Sequence, residues 1–294
     1  MLRKKIKLGA LDFLLLLLFF SALACFVYRV KAELHYQWNW GAISQYILRY
    51  DAESGKWVPN LLLQGLFTTI RLSLWATVLA ALLGTAMGLC RVSRSLFQRL
   101  IGRTYVESIR NLPPLVLIFI FYFFIGDQIT AYIGVDEMIR SATDQALAFI
   151  EIFFAPAPLF PAFLSALVTL ALFEGAYIAE IVRAGIQSIE KGQWEASWAL
   201  GLTRRQQMRY IILPQAVQRI LPPLAGQFIS TIKDSAIVSV ISIQELTFQG
   251  IELMSATYLT FEIWITVTAM YLLLTLALSL GVERFEMYMQ RSGA

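Results

Sequence analysis

The sequence is poor in the residues that most catalytic and metal sites require. It has one histidine, His35, and two cysteines among 294 residues. A single histidine excludes the H-E-x-x-H zinc motif, and Cys25 and Cys90 both lie in apolar runs, which does not favour a disulfide framework. The pair Gly55-Lys56 is followed by Trp57 rather than Ser or Thr, so there is no phosphate-binding P-loop. We therefore expect this chain to catalyse nothing by itself and to hold no metal or cofactor.

Charge is also scarce, whereas apolar residues are abundant. Charged residues make up 15% of the chain, against about 25% in average soluble domains. Hydrophobic residues make up 58%, and the mean hydropathy is +0.64. The net charge of +4 is spread between apolar runs, which fits a membrane topology better than nucleic-acid binding. The composition predicts a membrane protein.

Six segments are apolar and long enough to be candidate membrane helices. They are predicted at residues 11–30, 72–89, 104–126, 159–182, 218–243 and 263–282. The first follows Arg3, Lys4, Lys5 and Lys7 without a clear small-x-small cleavage site, which favours a retained signal anchor over a removed signal peptide. The predicted fold is an all-α, polytopic helix bundle.

Prolines interrupt two of these spans, and two segments that do not span the membrane precede the second. Pro113 and Pro114 break the third span, and Pro222 and Pro223 interrupt the fifth, because proline removes a backbone donor. Residues 61–71 are expected to form an amphipathic elbow along the membrane surface. Residues 31–60 are polar with clustered aromatics, as in an interfacial, extracytoplasmic segment.

Lysine and arginine are distributed unequally between the two sides. With the N-terminus inside, five lie in outside segments: Arg29, Lys31, Arg49, Lys56 and Arg140. Fifteen lie in inside segments: Arg3, Lys4, Lys5, Lys7, Arg91, Arg94, Arg99, Arg103, Arg183, Lys191, Arg204, Arg205, Arg209, Arg284 and Arg291. The positive-inside rule therefore predicts that both termini are cytoplasmic.

The longest inside loop, residues 183–210, predicts a helical hairpin. Helix formers at 195–200 precede Gly201, which tolerates a left-handed C-terminal cap. Thr203 and Gln206 have capping-box spacing, so a second helix should begin there, and Pro214 should disrupt or end it.

Trp194 and Trp198, four residues apart, are predicted to share one face of the first helix. Their spacing alone suits equally a helix resting on the membrane and a helix that docks on a partner protein.

A longer pattern in this loop resembles the cytoplasmic signature of ABC importer permeases. That signature is Glu-Ala-Ala, three residues, Gly, nine residues, Ile, one residue and Leu-Pro. Its matching positions here are Glu195, Ala196, Gly201, Ile211, Leu213 and Pro214. Ser197, another small residue, replaces the second alanine. The resemblance implies that the loop is the coupling helix, which fits a cleft on a separate ATPase subunit.

Other segments resemble permeases for polar amino acids. They are residues 172–189 with Gly175-Ala176-Tyr177, the stretch Ile232-Lys233-Asp234-Ser235, residues 240–245, and Arg110-Asn111-Leu112-Pro113-Pro114. The resemblance covers residues 61–286, beyond an N-terminal helix and extracytoplasmic segment at 1–60. We delimit the transmembrane domain as residues 61–290, with the coupling loop at 183–214.

The resemblance implies a type I importer fold in the inner cell membrane and a set of partners. The permease would work as a dimer with itself or a paralogue, with two ATPase subunits that bind ATP and Mg²⁺. An extracytoplasmic solute-binding protein would deliver an amino acid.

Ionisable residues within the spans are candidates for the solute path, because charge at membrane depth usually faces a cavity or another charge. Lys233 and Asp234 could contact a zwitterion, or could instead form a structural ion pair. Glu174, beside Tyr177, is a candidate specificity residue. Glu180 and Arg183 are three apart, which favours a structural pair.

Two alternatives remain at this stage. One is an ABC permease for another small polar solute. The other is an ion-coupled secondary transporter, which could also use broken helices and charges at the membrane midplane.

Overall fold

The computed structural model describes residues 9–33, 36–53 and 55–292. The basic residues Arg3, Lys4, Lys5 and Lys7 and the histidine His35 lie outside the described residues. The chain divides into two compact units, residues 1–40 and 41–294.

Helices make up most of the described chain, as predicted for an all-α bundle. The first unit contains α1, Ala10–Glu33. In the second unit, a short helix α2 (Ile43–Ile47) precedes the antiparallel hairpin of β1 (Leu48–Asp51) and β2 (Lys56–Pro59). The remaining helices are α3 (Leu61–Arg91), α4 (Leu96–Arg110), α5 (Pro114–Ile120), α6 (Asp127–Ile133), α7 (Val135–Arg140), α8 (Asp144–Phe153), α9 (Phe160–Gln187), α10 (Lys191–Ala199), α11 (Arg204–Gln206), α12 (Leu213–Asp234), α13 (Leu246–Thr257) and α14 (Thr260–Ser292). Short π-helical segments, Phe121–Gly126 and Gln207–Ile212, join α5 to α6 and α11 to α12.

Five helical stretches in the described chain are long and apolar enough to cross a membrane. They are Leu61–Arg91, Pro114–Ile133, Ala157–Gln187, Arg204–Ile241 and Thr260–Arg284. They correspond to the predicted second to sixth spans. In α1 the apolar stretch Leu11–Ala22 is shorter, so the first span stays a prediction.

The predicted surface elbow at residues 61–71 is wrong, because α3 is one continuous helix of 31 residues. Its first turns are buried against α13: a side chain at Gly65 would lie 2.9 Å from the Leu246 Cα. Leu62 is fully buried beside Leu246 and Ile43 in one apolar cluster. Packing on distant residues therefore extends the helix beyond the apolar span.

The predicted third span, residues 104–126, is placed too early. The chain does break before Pro114, since α4 ends at Arg110 and α5 begins at Pro114 with an extended Pro113 before it. The membrane-length helix runs from Pro114 to Ile133, and α4 is a separate amphipathic helix. Proline at the first helical position is favourable, since its missing N–H would have no partner there.

Of the two outcomes predicted for Pro214, the structure shows a disrupted helix rather than a helix end. The helical stretch runs from Arg204 to Ile241 with Pro214 in the first turn of α12. The π-helical segment Gln207–Ile212 lies directly before it and changes the hydrogen-bond register where proline supplies no donor. Pro222 and Pro223 lie inside α12, and a bend there remains a prediction.

Small residues bring α3 and α9 into close contact. A Cβ added at Gly84 would lie 2.7 Å from the Gly175 carbonyl oxygen, and one added at Gly88 would lie 2.7 Å from the Val182 Cβ. Such close approach is typical of helix pairs in membranes, where association depends on tight packing. It fixes α9, which carries Glu174 and Tyr177, against α3.

Candidate functional site

The hairpin between α9 and α12 has the local geometry that the sequence predicts. Helix α10 ends at Ala199, and Gly201 adopts a left-handed conformation with φ of +72°. The Gly201 N–H donates to the Trp198 carbonyl over 2.9 Å. Thr203 and Gln206 then form a complete capping box at the start of α11. Because a side chain is strained at positive φ, glycine suits this turn.

Buried polar residues hold the hairpin in one shape. Ser197 is buried, and its hydroxyl donates to the Trp194 carbonyl. The small residue that replaces the second alanine of the signature therefore fits on the buried side of α10. The Gln207 amide, also buried, donates to the Leu202 carbonyl over 3.2 Å. The first bond lies within α10, and the second joins the turn to the helical segment that follows it, so both favour a rigid element.

The outer face of α10 is exposed and partly apolar. Trp198 and Leu200 are each 77% exposed, and Glu195 and Ala196 are exposed beside them. Trp194 behaves differently from Trp198: it is half-buried, and the Arg204 guanidinium lies 4.0 Å from its ring centroid. The two tryptophans therefore do not present one common apolar surface, since one anchors the hairpin and the other projects from it.

The rest of the signature connects the hairpin to the membrane helices. Ile211 and Leu213 are half-buried and pack on the apolar cluster that contains Ile186 and Ile212. Pro214 is exposed at the start of α12. Motion of α10 would thus be transmitted to α12 through side chains in contact.

A buried acid lies in the middle of α9. Glu174 is fully buried, and one of its oxygens accepts a 2.7 Å hydrogen bond from the Gln227 amide of α12. Its other oxygen, Oε1, has no hydrogen-bond partner among the described residues. Asp234, near the end of α12, interacts with the same carboxyl group. Two carboxyl groups therefore meet between α9 and α12.

Lys233 and Asp234 do not form an ion pair with each other in the described chain, which was one of the two alternatives that the sequence left open. Lys233 is exposed, whereas Asp234 is half-buried beside Glu174, and no ion pair joins their side chains. Adjacent residues on a helix point about 100° apart, which separates them. The structure thus brings Asp234 together with Glu174 and leaves Lys233 apart.

Tyr177 lines a cavity of about 420 Å³ between α9 and α12. Arg110 lies over its ring, 5.4 Å from the centroid, and Gln227 and Pro223 line the same cavity. Because Gln227 also binds Glu174, one side chain links the cavity to the buried acids. The cavity therefore brings together three separate parts of the sequence.

The predicted Glu180–Arg183 pair is present. The Arg183 Nε donates to both Glu180 oxygens over 3.0 and 3.1 Å. Arg91 of α3 also forms an ion pair with Glu180, a contact that the sequence did not reveal. Arg91 and Glu180 are separated by 89 residues, and no local spacing relates them.

A second cavity, of about 600 Å³, is built where the β-hairpin meets α3, α8 and the start of α13. It is lined by Arg49, Asp51, Arg71 and Gln249, among others. The Arg71 guanidinium donates to the Glu151 carbonyl over 3.0 Å, which connects α3 to α8.

Gln207 and Gln227 are the functional candidates that sequence reasoning missed. A glutamine within an apolar helix is a weak signal, and its partner depends on how two helices are aligned. Gln227, four residues after Pro223, could have been noted as a polar residue at membrane depth.

Comparisons with known proteins agree on one family. A sequence model for the family described as "Binding-protein-dependent transport system inner membrane component" matches residues 80–291. The probable glutamine ABC transporter permease protein GlnM of Bacillus subtilis (strain 168) is 33% identical over 233 residues, which cover 79% of this chain and 95% of that protein. The glutamate/aspartate import permease protein GltJ of Escherichia coli (strain K12) is 31% identical, and the match covers 85% and 94% of the two chains.

Solved structures show the same fold. A chain described as "Crystal structure of an amino acid ABC transporter with histidines" superposes with a TM-score of 0.65 and 31% identity, covering 86% of this chain and all of the other. The MetNI methionine ABC transporter in an inward-facing conformation gives a TM-score of 0.57 at 18% identity, over 78% of this chain and 96% of the other. The second likeness supports the fold alone.

Proposed function

This chain belongs to the family of binding-protein-dependent transport system inner membrane components, and on that premise we propose that it is the permease subunit of an ATP-driven amino-acid importer. Family members are transport subunits rather than enzymes, and the ATPase is a separate polypeptide. Glutamine and glutamate/aspartate permeases among the relatives support an amino acid as the solute.

The rigid hairpin of α10 and α11 is the observation that carries the proposal. Its Gly201 turn, capping box and buried Ser197 fix its shape, while Trp198 and Leu200 project outward. A helix that transmits force from an ATPase has to dock by shape and resist bending. The residues proposed to dock on or support that contact are Glu195, Ala196, Ser197, Gly201, Ile211, Leu213 and Pro214.

We place the solute path between α9 and α12, beside Glu174 and Asp234. An ammonium group on the solute would find two neighbouring carboxyl groups there, and the unpartnered Glu174 Oε1 could accept a hydrogen bond from it. Tyr177 and Gln227 would line the approach from the adjacent cavity. Lys233, which is exposed and forms no ion pair with Asp234, would contact the carboxylate of the solute.

Membership of this family implies that the chain works with an ATPase and a solute-binding protein. We propose two ATPase subunits that hold ATP and Mg²⁺, a second permease subunit that is this chain or a paralogue, and an extracytoplasmic amino-acid-binding protein. Alternating access would expose the path to each side of the inner membrane in turn. Bending at Pro113, Pro114, Pro222 and Pro223 would accompany that change.

Uptake into proteoliposomes tests the function directly. The permease is reconstituted with its ATPase and its binding protein, and radiolabelled amino acids are offered with ATP or with an imposed ion gradient. We expect accumulation that requires ATP and is inhibited by vanadate. Uptake driven by an ion gradient without ATP would support a secondary transporter instead, and ATP-driven uptake of sugars but not amino acids would refute the solute class.

A further inference from the structure

A basic pocket separates the hairpin from the end of α3. It has a volume of about 390 Å³ and lies between the α3–α4 turn, the end of α9 and the first turn of α10. Four cationic residues line it, and its lining contains no carboxylate. They are Arg91, Arg99, Lys191 and Arg204.

The protein neutralises only part of this charge. Arg91 pairs with Glu180, but the same carboxylate also holds Arg183. Arg99 donates to the carbonyl oxygens of Ser93 and Arg94 over 3.2 and 3.0 Å, which satisfies its N–H groups without cancelling its charge.

The charges of the other two cations, Arg204 and Lys191, are also not neutralised. Arg204 lies over the Trp194 ring, a neutral partner, and Lys191 is exposed at the start of α10. Several like charges around one cavity repel each other, so an anion seated there would be bound favourably.

An exposed apolar surface adjoins the pocket. On α4, four large apolar side chains are between 43% and 72% exposed: Leu96, Phe97, Leu100 and Ile101. Helix α4 lies outside the five membrane-length stretches and begins five residues after the first of them ends at Arg91. The first turns of α4 lie beside the end of α3, since a side chain at Gly102 would lie 2.8 Å from the Arg91 Cγ, whereas Val106 and Ile109 are buried in the core with Leu72. The exposed apolar side chains of those first turns are therefore placed to contact acyl chains next to the pocket.

We propose that the basic pocket binds the phosphate of an anionic phospholipid, with the acyl chains along α4. The charged cavity and the apolar surface beside it match the two halves of such a lipid, whereas a free phosphate would use only the cavity. Since Lys191 begins α10 and Arg204 begins α11, the bound headgroup connects both limbs of the hairpin to α3. The inference goes beyond amino-acid transport and concerns how the membrane supports the hairpin.

Lipid retention by the purified complex of permease and ATPase tests the proposal. The complex is reconstituted in nanodiscs of equal phosphatidylglycerol and phosphatidylcholine, extracted into detergent and analysed by native mass spectrometry. We expect retained phosphatidylglycerol to exceed phosphatidylcholine. The double variant Arg99→Gln/Lys191→Gln should bind it about 25-fold more weakly, since each cation near the surface contributes about fivefold.

Two further variants control for charge and folding. Arg103→Gln removes a cation from the same helix, where Arg103 pairs with Glu107 outside the pocket, and should retain the lipid as the wild type does. The swap Arg99→Lys/Lys191→Arg keeps both charges and should retain phosphatidylglycerol as the wild type does. It provides the test of charge if the glutamine double variant does not fold.

Three kinds of result would overturn the proposal. The first is the absence of an expected difference in retention, either between the two lipids or between the double variant and Arg103→Gln. The second is full displacement of phosphatidylglycerol by inorganic phosphate, which would identify a site for a free anion. The third is loss of the ATPase subunit from the double variant with lipid retention unchanged, which would assign the surface to that protein.

Discussion

Gln227 of α12 donates a 2.7 Å hydrogen bond to the buried carboxyl group of Glu174 in α9. This bond joins two membrane helices at the point where the solute path is proposed. The donated bond reaches the Glu174 Oε2 atom, while Oε1 has no hydrogen-bond partner among the described residues. The stability of the helix pair and the chemistry of the path should therefore depend on the same side chain.

Replacing Gln227 should affect both properties. Gln227→Leu leaves the Glu174 carboxyl group buried without its donor, and we expect a loss of about 1–3 kcal/mol in stability together with slower uptake. Thermal unfolding in detergent and initial uptake rates measure the two effects. Gln218→Leu, at an exposed position on the same helix, should change neither. Equal behaviour of the two variants would show that the Gln227–Glu174 bond is unimportant.

The close contact of α3 with α9 predicts a sharp difference between two glycines. Gly84→Ala introduces a Cβ 2.7 Å from the Gly175 carbonyl oxygen, so the helices must separate, at a cost of about 1–3 kcal/mol. Gly281→Ala, with no atom within 4 Å of the added Cβ, should be neutral or slightly stabilising. Melting temperatures of the two variants test this, and a Gly84→Ala protein as stable as Gly281→Ala would contradict the packing.

The buried cap of α13 predicts a pH dependence of stability. Glu245 accepts hydrogen bonds from the Thr247 and Phe248 N–H groups and from the Tyr271 hydroxyl, yet burial raises its pKa from 4.5 to about 7. Between these values the folded protein holds a proton that the unfolded chain releases. The contribution of Glu245 to stability should therefore be greatest below pH 4.5 and should fall by about 3 kcal/mol as the pH rises from 4.5 through 7.

Melting curves of the wild type and of Glu245→Gln between pH 4.5 and 8 measure the contribution of the Glu245 carboxyl group. Glu245→Gln should remove most of the slope, whereas Glu252→Gln, exposed on the same helix, should keep it. An unchanged slope in Glu245→Gln would assign the pH dependence to other groups.

The predicted orientation can be read from thiol labelling. In a chain whose two cysteines, Cys25 and Cys90, have been replaced, we expect a cysteine at Ala199 in α10 to react with an impermeant maleimide only after the cells are opened. A cysteine at Ser255 in α13 should react in intact cells. Both positions are exposed, so access rather than burial decides the outcome. The reverse pattern would place the hairpin outside and refute cytoplasmic termini.

Local signals in the sequence were sufficient for the hairpin and most of the spans. A glycine for the left-handed turn, the spacing of Thr203 and Gln206, and long apolar runs each act over a few residues, and the structure has all three features. The pairing of Glu180 with Arg183 is also a matter of helical spacing.

Contacts between distant segments could not be predicted. Helix α3 begins eleven residues before the predicted span because Gly65 packs on α13, which lies about 180 residues later. The meeting of Asp234 with Glu174, and not with Lys233, depends on the rotation of α12 against α9. Neither relation leaves a pattern in the linear sequence.

Coupling through the hairpin is tested most directly by changing its left-handed turn. Gly201→Asp is compared with Gly134→Asp, because Gly134 has a nearly identical φ of +71° but lies between α6 and α7, so that backbone strain is matched. We expect Gly201→Asp to lose the ATPase subunit on purification and to lower ATP-driven uptake into proteoliposomes by at least about tenfold. Gly134→Asp should keep the ATPase subunit and its uptake activity. If Gly201→Asp retains the ATPase and transports as well as Gly134→Asp, the hairpin does not couple ATP hydrolysis to transport.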